Sequence, residues 1–185
     1  KNKGGSIMSH LTREKKMKLE LKNIKHSEFA SEETHCYQAT LYVDGKKMAE
    51  VKNDGQGGSD YQWALKPFTE KDLDKVRDWC IKNLPKWKFE NNGKVEMCDT
   101  DLEMWCGEEV NKFLVSKDLK RSLNKKILYE KDKQLWEYSF KGVRKLEQKH
   151  LVAFINNTEN HKDYQNIKIL NTMPLNKALE IYRKH

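Results

Sequence analysis

The chain has 185 residues, a mass of 21.9 kDa and a mean hydropathy of −0.96, enough for one domain or two small ones. No apolar run approaches the length needed to span a bilayer, which argues against a membrane-spanning class. A formal charge of +8, from 36 basic and 28 acidic residues, points toward polyanionic partners.

In chain order, residues 1–16 read as a flexible basic leader. They are polar, lack an apolar stretch and do not resemble a signal peptide. Residues 17–24 alternate, with Leu19 and Leu21 on one face, as a half-buried strand does. Residues 34–43 predict a second strand, with Tyr37, Ala39, Leu41 and Val43 turned to one side. Asp44-Gly45 is a type I′ hairpin signal, and residues 46–52 return as a third strand with Met48 opposite Leu41.

A glycine-rich stretch follows: Asn53, Asp54, Gly55, Gln56, Gly57, Gly58, Ser59, Asp60 and Tyr61. Glycines accept positive φ and close backbone approach, and successive amides in such a turn can cradle an anion. Asn53, Asp54, Gly55, Gly57, Gly58, Asp60 and Tyr61 are therefore candidate ligand-binding residues. The stretch has neither a Walker lysine nor GxGxxG spacing, and Asn-Asp-Gly is equally the signal of a surface turn. Tyr61 and Trp63 could stack on a base or anchor the loop. Glu32, Glu33, Asp54 and Asp60 could gather around a divalent cation, or simply be exposed acids.

Thr69 starts a helix, with Asp72 in its first turn, that ends before Pro85. Residues 86–97, with an Asn-Asn-Gly turn, predict a hairpin whose buried side is Trp87, Phe89 and Val95. Thr100-Asp101-Leu102-Glu103 is a capping box for a helix to about residue 115. A separate short basic helix is expected over 117–124. Residues 126–140 form a hairpin and 147–157 a helix. Residues 166–170 form a strand, and a last helix is capped by Thr172. The expected fold is α+β: an N-terminal antiparallel sheet with a hairpin, central helices and a C-terminal ββαβα unit. The expected domains are 17–116 and 117–185.

Charge is concentrated. Residues 111–149 hold 12 basic and 5 acidic side chains, net +7. Lys117, Lys120, Arg121, Lys125, Lys126, Arg144 and Lys145 are the candidate contacts to nucleic acid or to a host protein–nucleic-acid complex. The alternative is a solvated lysine-rich surface. Lysine outnumbers arginine, which favours phosphate contact over base readout.

The four cysteines, Cys36, Cys80, Cys98 and Cys106, form no CxxC pair, so reduced thiols and a cytoplasmic site are expected. Cys98 and Cys106 with a distant histidine would be an incomplete zinc set. No GxSxG, HExxH or EF-hand pattern occurs. Adjacent His35 and Cys36 would point to opposite faces of a strand. No catalytic residue, metal or cofactor is assigned. A non-enzymatic binding protein is the leading expectation. The alternatives are an enzyme or receptor holding a nucleotide-like anion at 53–61, and a protein–protein inhibitor of an acidic partner.

Tyr42-Val43-Asp44-Gly45-Lys46 with Asn53-Asp54-Gly55-Gln56-Gly57-Gly58, and Ile169-Leu170-Asn171-Thr172-Met173-Pro174-Leu175, are similar to stretches of small uncharacterised proteins of bacteriophages and mobile elements. The likeness covers about a third of the chain. It implies a bacterial host and an accessory role, such as an anti-CRISPR-like block on host defence.

Overall fold

A computed structural model describes residues 16–159 and 161–185. The leader expected over 1–16 lies outside them, apart from Lys16. The fold is α+β. It divides into two compact units, the first running to Cys106 and the second from Gly107 to His185.

In the first unit, β1 (Leu19–Ser27), β2 (Cys36–Val43), β3 (Lys46–Asn53) and β4 (Tyr61–Ala64) form an antiparallel sheet in sequential order. The β2–β3 turn has positive φ at both Asp44 (50°) and Gly45 (78°), the type I′ geometry that suits a twisted hairpin. Two irregularities bend the sheet. β1 shifts register between Lys22 and Lys25, around Asn23 at φ 55°. β3 carries an extra residue at Met48, so Leu41 pairs with Ala49, and the expected Met48–Leu41 pairing is corrected. The fourth strand was also not anticipated. Tyr61 and Trp63 belong to β4, across from Lys52 and Glu50.

Alternation along β2 and β3 buries Tyr37, Ala39, Leu41, Val43 and Val51. Helix α1 (Glu70–Asn83) adds Leu73, Val76 and Cys80, its 3.6-residue stripe. Its first turn is fixed by the Asp72 carboxylate, which accepts from the Thr69 amide (3.1 Å) and hydroxyl (2.8 Å). β5 (Trp87–Asn91) and β6 (Lys94–Cys98) form a separate two-stranded ribbon. Trp87 and Val95, expected inside, are 54% and 68% exposed, because among the described residues no other strand extends this ribbon.

Helix α2 (Leu102–Leu123) is continuous, where two helices were expected. The change from apolar to basic composition at residue 117 alters what the helix faces, but it introduces no proline or glycine to stop it. Both the division after Cys106 and the expected boundary at 116/117 fall inside it.

The second unit is a three-layer stack. Its sheet has the order β8 (Gln134–Tyr138), β7 (Ile127–Lys131), β9 (Lys168–Ile169), all antiparallel. On one face Leu128 packs with Leu119 of α2, Leu170, and Ala178 of α4 (Leu175–Tyr182). On the other, Ile127 and Tyr129 pack with Leu151 and Phe154 of α3 (Gln148–Glu159). The period of two along β7 accounts for the split. Pro174, not Thr172, precedes α4. Thr172 lies in a short 3-10 turn and donates its hydroxyl to Ile169.

Candidate functional site

The glycine-rich stretch is held from within. Asn53, only 5% exposed, is its centre. Its Oδ1 accepts from the Thr34 hydroxyl (2.7 Å) and the Gly55 amide (2.8 Å). Its Nδ2 donates to the Gly58 carbonyl (2.9 Å) and Asp60 Oδ1 (3.0 Å). Every polar valence that an amide side chain offers in a buried site is thereby engaged. The Gly55 carbonyl accepts from three amides, those of Glu32, Glu33 and Thr34, and draws the 28–34 segment onto the loop.

Gly55 has φ 86°, and a Cβ there would fall 2.1 Å from the Ala30 carbonyl oxygen. Gly57, at φ 80°, sits under Glu33, and its amide donates to the Thr34 hydroxyl (3.3 Å). Gly58 has open space at its Cα. The amides of Gly55, Gly57 and Asp60 thus all donate to protein oxygens, the last to Glu103 Oε1 (3.1 Å).

The Tyr37 hydroxyl donates to Asp60 Oδ2. Burial raises the Asp60 carboxyl above its ordinary value. Hydrogen bonds from Tyr37 and Asn53 oppose that shift, and Glu103 and Asp101 add to it. Burial, then the nearby Cys106 and Asp60, push the Tyr37 phenol far above its usual range, so it remains a donor. Asp54 lies outside this network and pairs with Lys52 (2.6 Å). Tyr61 is exposed on β4.

The basic block lies in the second unit. Lys117, Lys120 and Arg121 are exposed on the last turns of α2, where cations also favour the negative end of the helix dipole. Asp118, the acid among them, accepts from the Tyr182 hydroxyl (2.6 Å). Lys125 follows the helix. Arg144 and Lys145 arrive from the loop after β8, and the Leu146 amide donates to the Asn124 carbonyl at 2.7 Å. Two basic stretches twenty residues apart in sequence therefore meet at the end of α2.

Asn171 fixes the junction. Its Nδ2 donates to the carbonyls of Leu123 and Lys126 (both 3.1 Å), and its Oδ1 accepts from the Leu128 amide (2.8 Å). Among the described residues no carboxylate pairs with Lys117, Lys120, Arg121, Lys125, Arg144 or Lys145, whereas Lys126 is bound to Glu137. Sequence reasoning did not single out Asn171; its partners lie more than forty residues away.

Cys80 and Cys106 are buried, and none of the four cysteines forms a disulfide. Burial pushes Cys80 up to about 12, so it is an inert thiol. No metal-ligating cluster occurs among the described residues, and no helix there is long and apolar enough to cross a membrane. A cleft of about 520 Å³ opens beside Asn111, Lys112, Tyr182 and Arg183, but Lys112 is already held by Glu108 and Glu109. Neither known protein families, nor curated proteins, nor solved structures match this chain.

Proposed function

We propose that this chain is a non-enzymatic binding protein whose second unit grips the phosphate backbone of a nucleic acid, free or within a host protein–nucleic-acid complex. One observation carries the reading. The Leu146–Asn124 hydrogen bond joins Arg144 and Lys145 to the end of α2, so that cations from two segments share one surface, and among the described residues no carboxylate forms an ion pair with them, although Asp118 and Glu147 lie nearby. Clustered, solvated cations bind a polyanion chiefly by releasing its counterions. The resemblance to small phage proteins supplies the biological context, interference with a host defence complex. The Asn53–Tyr61 loop then serves as a rigid rim of the first unit.

The test is anisotropy of a labelled nucleic acid across a salt series. With about five phosphate contacts, log K should fall against log[KCl] with a slope of roughly −4. The triple reversal K120E/R121E/K125E should abolish binding while leaving the melting temperature nearly unchanged. Unaltered affinity in that variant would overturn the reading. Capture of an acidic protein from nuclease-treated lysate, with no affinity for nucleic acid, would assign the same face to a protein partner instead.

A further inference from the structure

The second unit also carries rings that the phosphate-binding reading does not use. β8 is the outer strand of its sheet, and Trp136 and Tyr138 stand two residues apart on it. They pair with Tyr129 and Ile127, so both lie on the face that packs against α3. Yet they are 48% and 41% exposed: α3 packs on β7, and its Phe154 reaches Tyr138 without covering it. Alternate positions on a strand are roughly 7 Å apart, and both rings rise from the same side.

Their settings differ usefully. Tyr138 is held by Phe140, edge-on at 5.0 Å, and by Phe154 at 5.2 Å, so its orientation is fixed before anything binds. Trp136 has no ring neighbour among the described residues; the shallow groove of about 460 Å³ beside it runs past Leu135, which packs on the opposite face of the sheet, to His185, and is not part of the pair's setting. Cations flank the pair at both ends. Lys131 is on the same face, paired with Gln134, its ammonium 5.7 Å from the Tyr164 ring centre. Beyond Tyr138 the chain runs through Lys141, Arg144 and Lys145 to Leu146, whose amide meets the end of α2.

The first unit offers a counter-example. Tyr61 and Trp63 are also exposed on an outer strand, at alternate positions. Of the cations beside them, Lys52 is paired with Asp54 and Lys47 with Glu50, which leaves exposed Lys66 beyond Trp63. Rings with fewer available cations make a poorer track for a polyanion.

We infer that Trp136 and Tyr138 form a stacking platform for unpaired bases, and that the preferred ligand is single-stranded nucleic acid. This rests on the phosphate-binding reading and gives it a substrate class. Duplex bases are already stacked on one another and present no free face. A single strand can lay successive bases on the rings while lysines follow its backbone.

The experiment compares a 20-nucleotide oligo(dT) with a 20-base-pair duplex. The wild-type protein should prefer oligo(dT), with tryptophan fluorescence quenched on binding. Trp136→Leu should weaken oligo(dT) binding about tenfold and remove most of the quenching, with duplex affinity unchanged. Trp136→Phe should keep most of the affinity, which separates stacking from a folding defect, and circular dichroism should match in both variants. Equal binding of the two ligands, with Trp136→Leu indistinguishable from wild type, would overturn the platform and leave the phosphate reading standing. Failure of the wild-type protein to bind either ligand at low salt would overturn both.

Discussion

The loop at Asn53–Tyr61 and the basic junction around Lys125 and Lys145 are both rich in polar groups, and they use them in opposite ways. In the loop, Asn53 spends its donors and acceptors on Thr34, Gly55, Gly58 and Asp60, and Tyr37 spends its hydroxyl on Asp60. At the junction, Asn171 does the structural bonding from behind, and the cations stay solvated. Polar groups satisfied inside the fold define a shape. Polar groups left to water remain available to something else.

That contrast can be broken most sharply at glycine. Gly55→Val should destabilise the protein by roughly 3–4 kcal/mol, since it adds a positive-φ penalty to a Cβ overlapping the Ala30 carbonyl. Gly142→Ala, in the basic segment, has φ 79° but nothing within 4 Å, and should cost only about 1 kcal/mol. Chemical denaturation of both variants measures the difference; equal costs would mean that the loop is not the rigid region.

Asn53→Ala is the next largest. It strands a buried amide and hydroxyl together and should cost about 2–3 kcal/mol in the same assay, while leaving oligonucleotide affinity as it was. A loss of affinity with little loss of stability would give the loop a binding role.

The smallest effect is a pH dependence. The folded protein raises the Asp60 carboxyl above its unfolded value, so it favours the protonated form. The stability gained is fully present below the unfolded value and is lost as pH rises through the folded one. Melting temperatures of wild type and Asp60→Asn from pH 3 to 7 should show the wild type losing ground to the variant as pH rises. A difference that does not change with pH would remove Asp60 from the buried network.

Much of this architecture was legible because its signals are local. Alternation in β2 and β3, positive-φ residues at Asp44-Gly45, and Asp72 folding back on Thr69 each act within a few residues. What was missed depends on distant partners. β4 has four residues, and pairing with β3 defines it as a strand. Periodicity in Trp87–Asn91 was right about the strand and silent about what would cover it. The continuity of α2 was hidden because a change in surface charge resembles a change of element. At the candidate sites, sequence named the cations and the glycines. Their opposite settings follow from Asn124 meeting Leu146 and from the 28–34 segment folding onto Gly55, contacts that no local pattern encodes.

The outer strand β1 has a consequence of its own. An exposed strand with free amides and carbonyls is a template for cross-β growth, in which one copy recruits the next. Here charged side chains line that margin, Lys18 and Lys22 paired with Glu20 and Lys25 exposed beyond them, and the irregularity at Asn23 interrupts the straight ladder that recruitment needs. On the opposite margin, β4 is only four residues long. Both margins of the four-stranded sheet therefore work against copies of the chain adding on edge to edge.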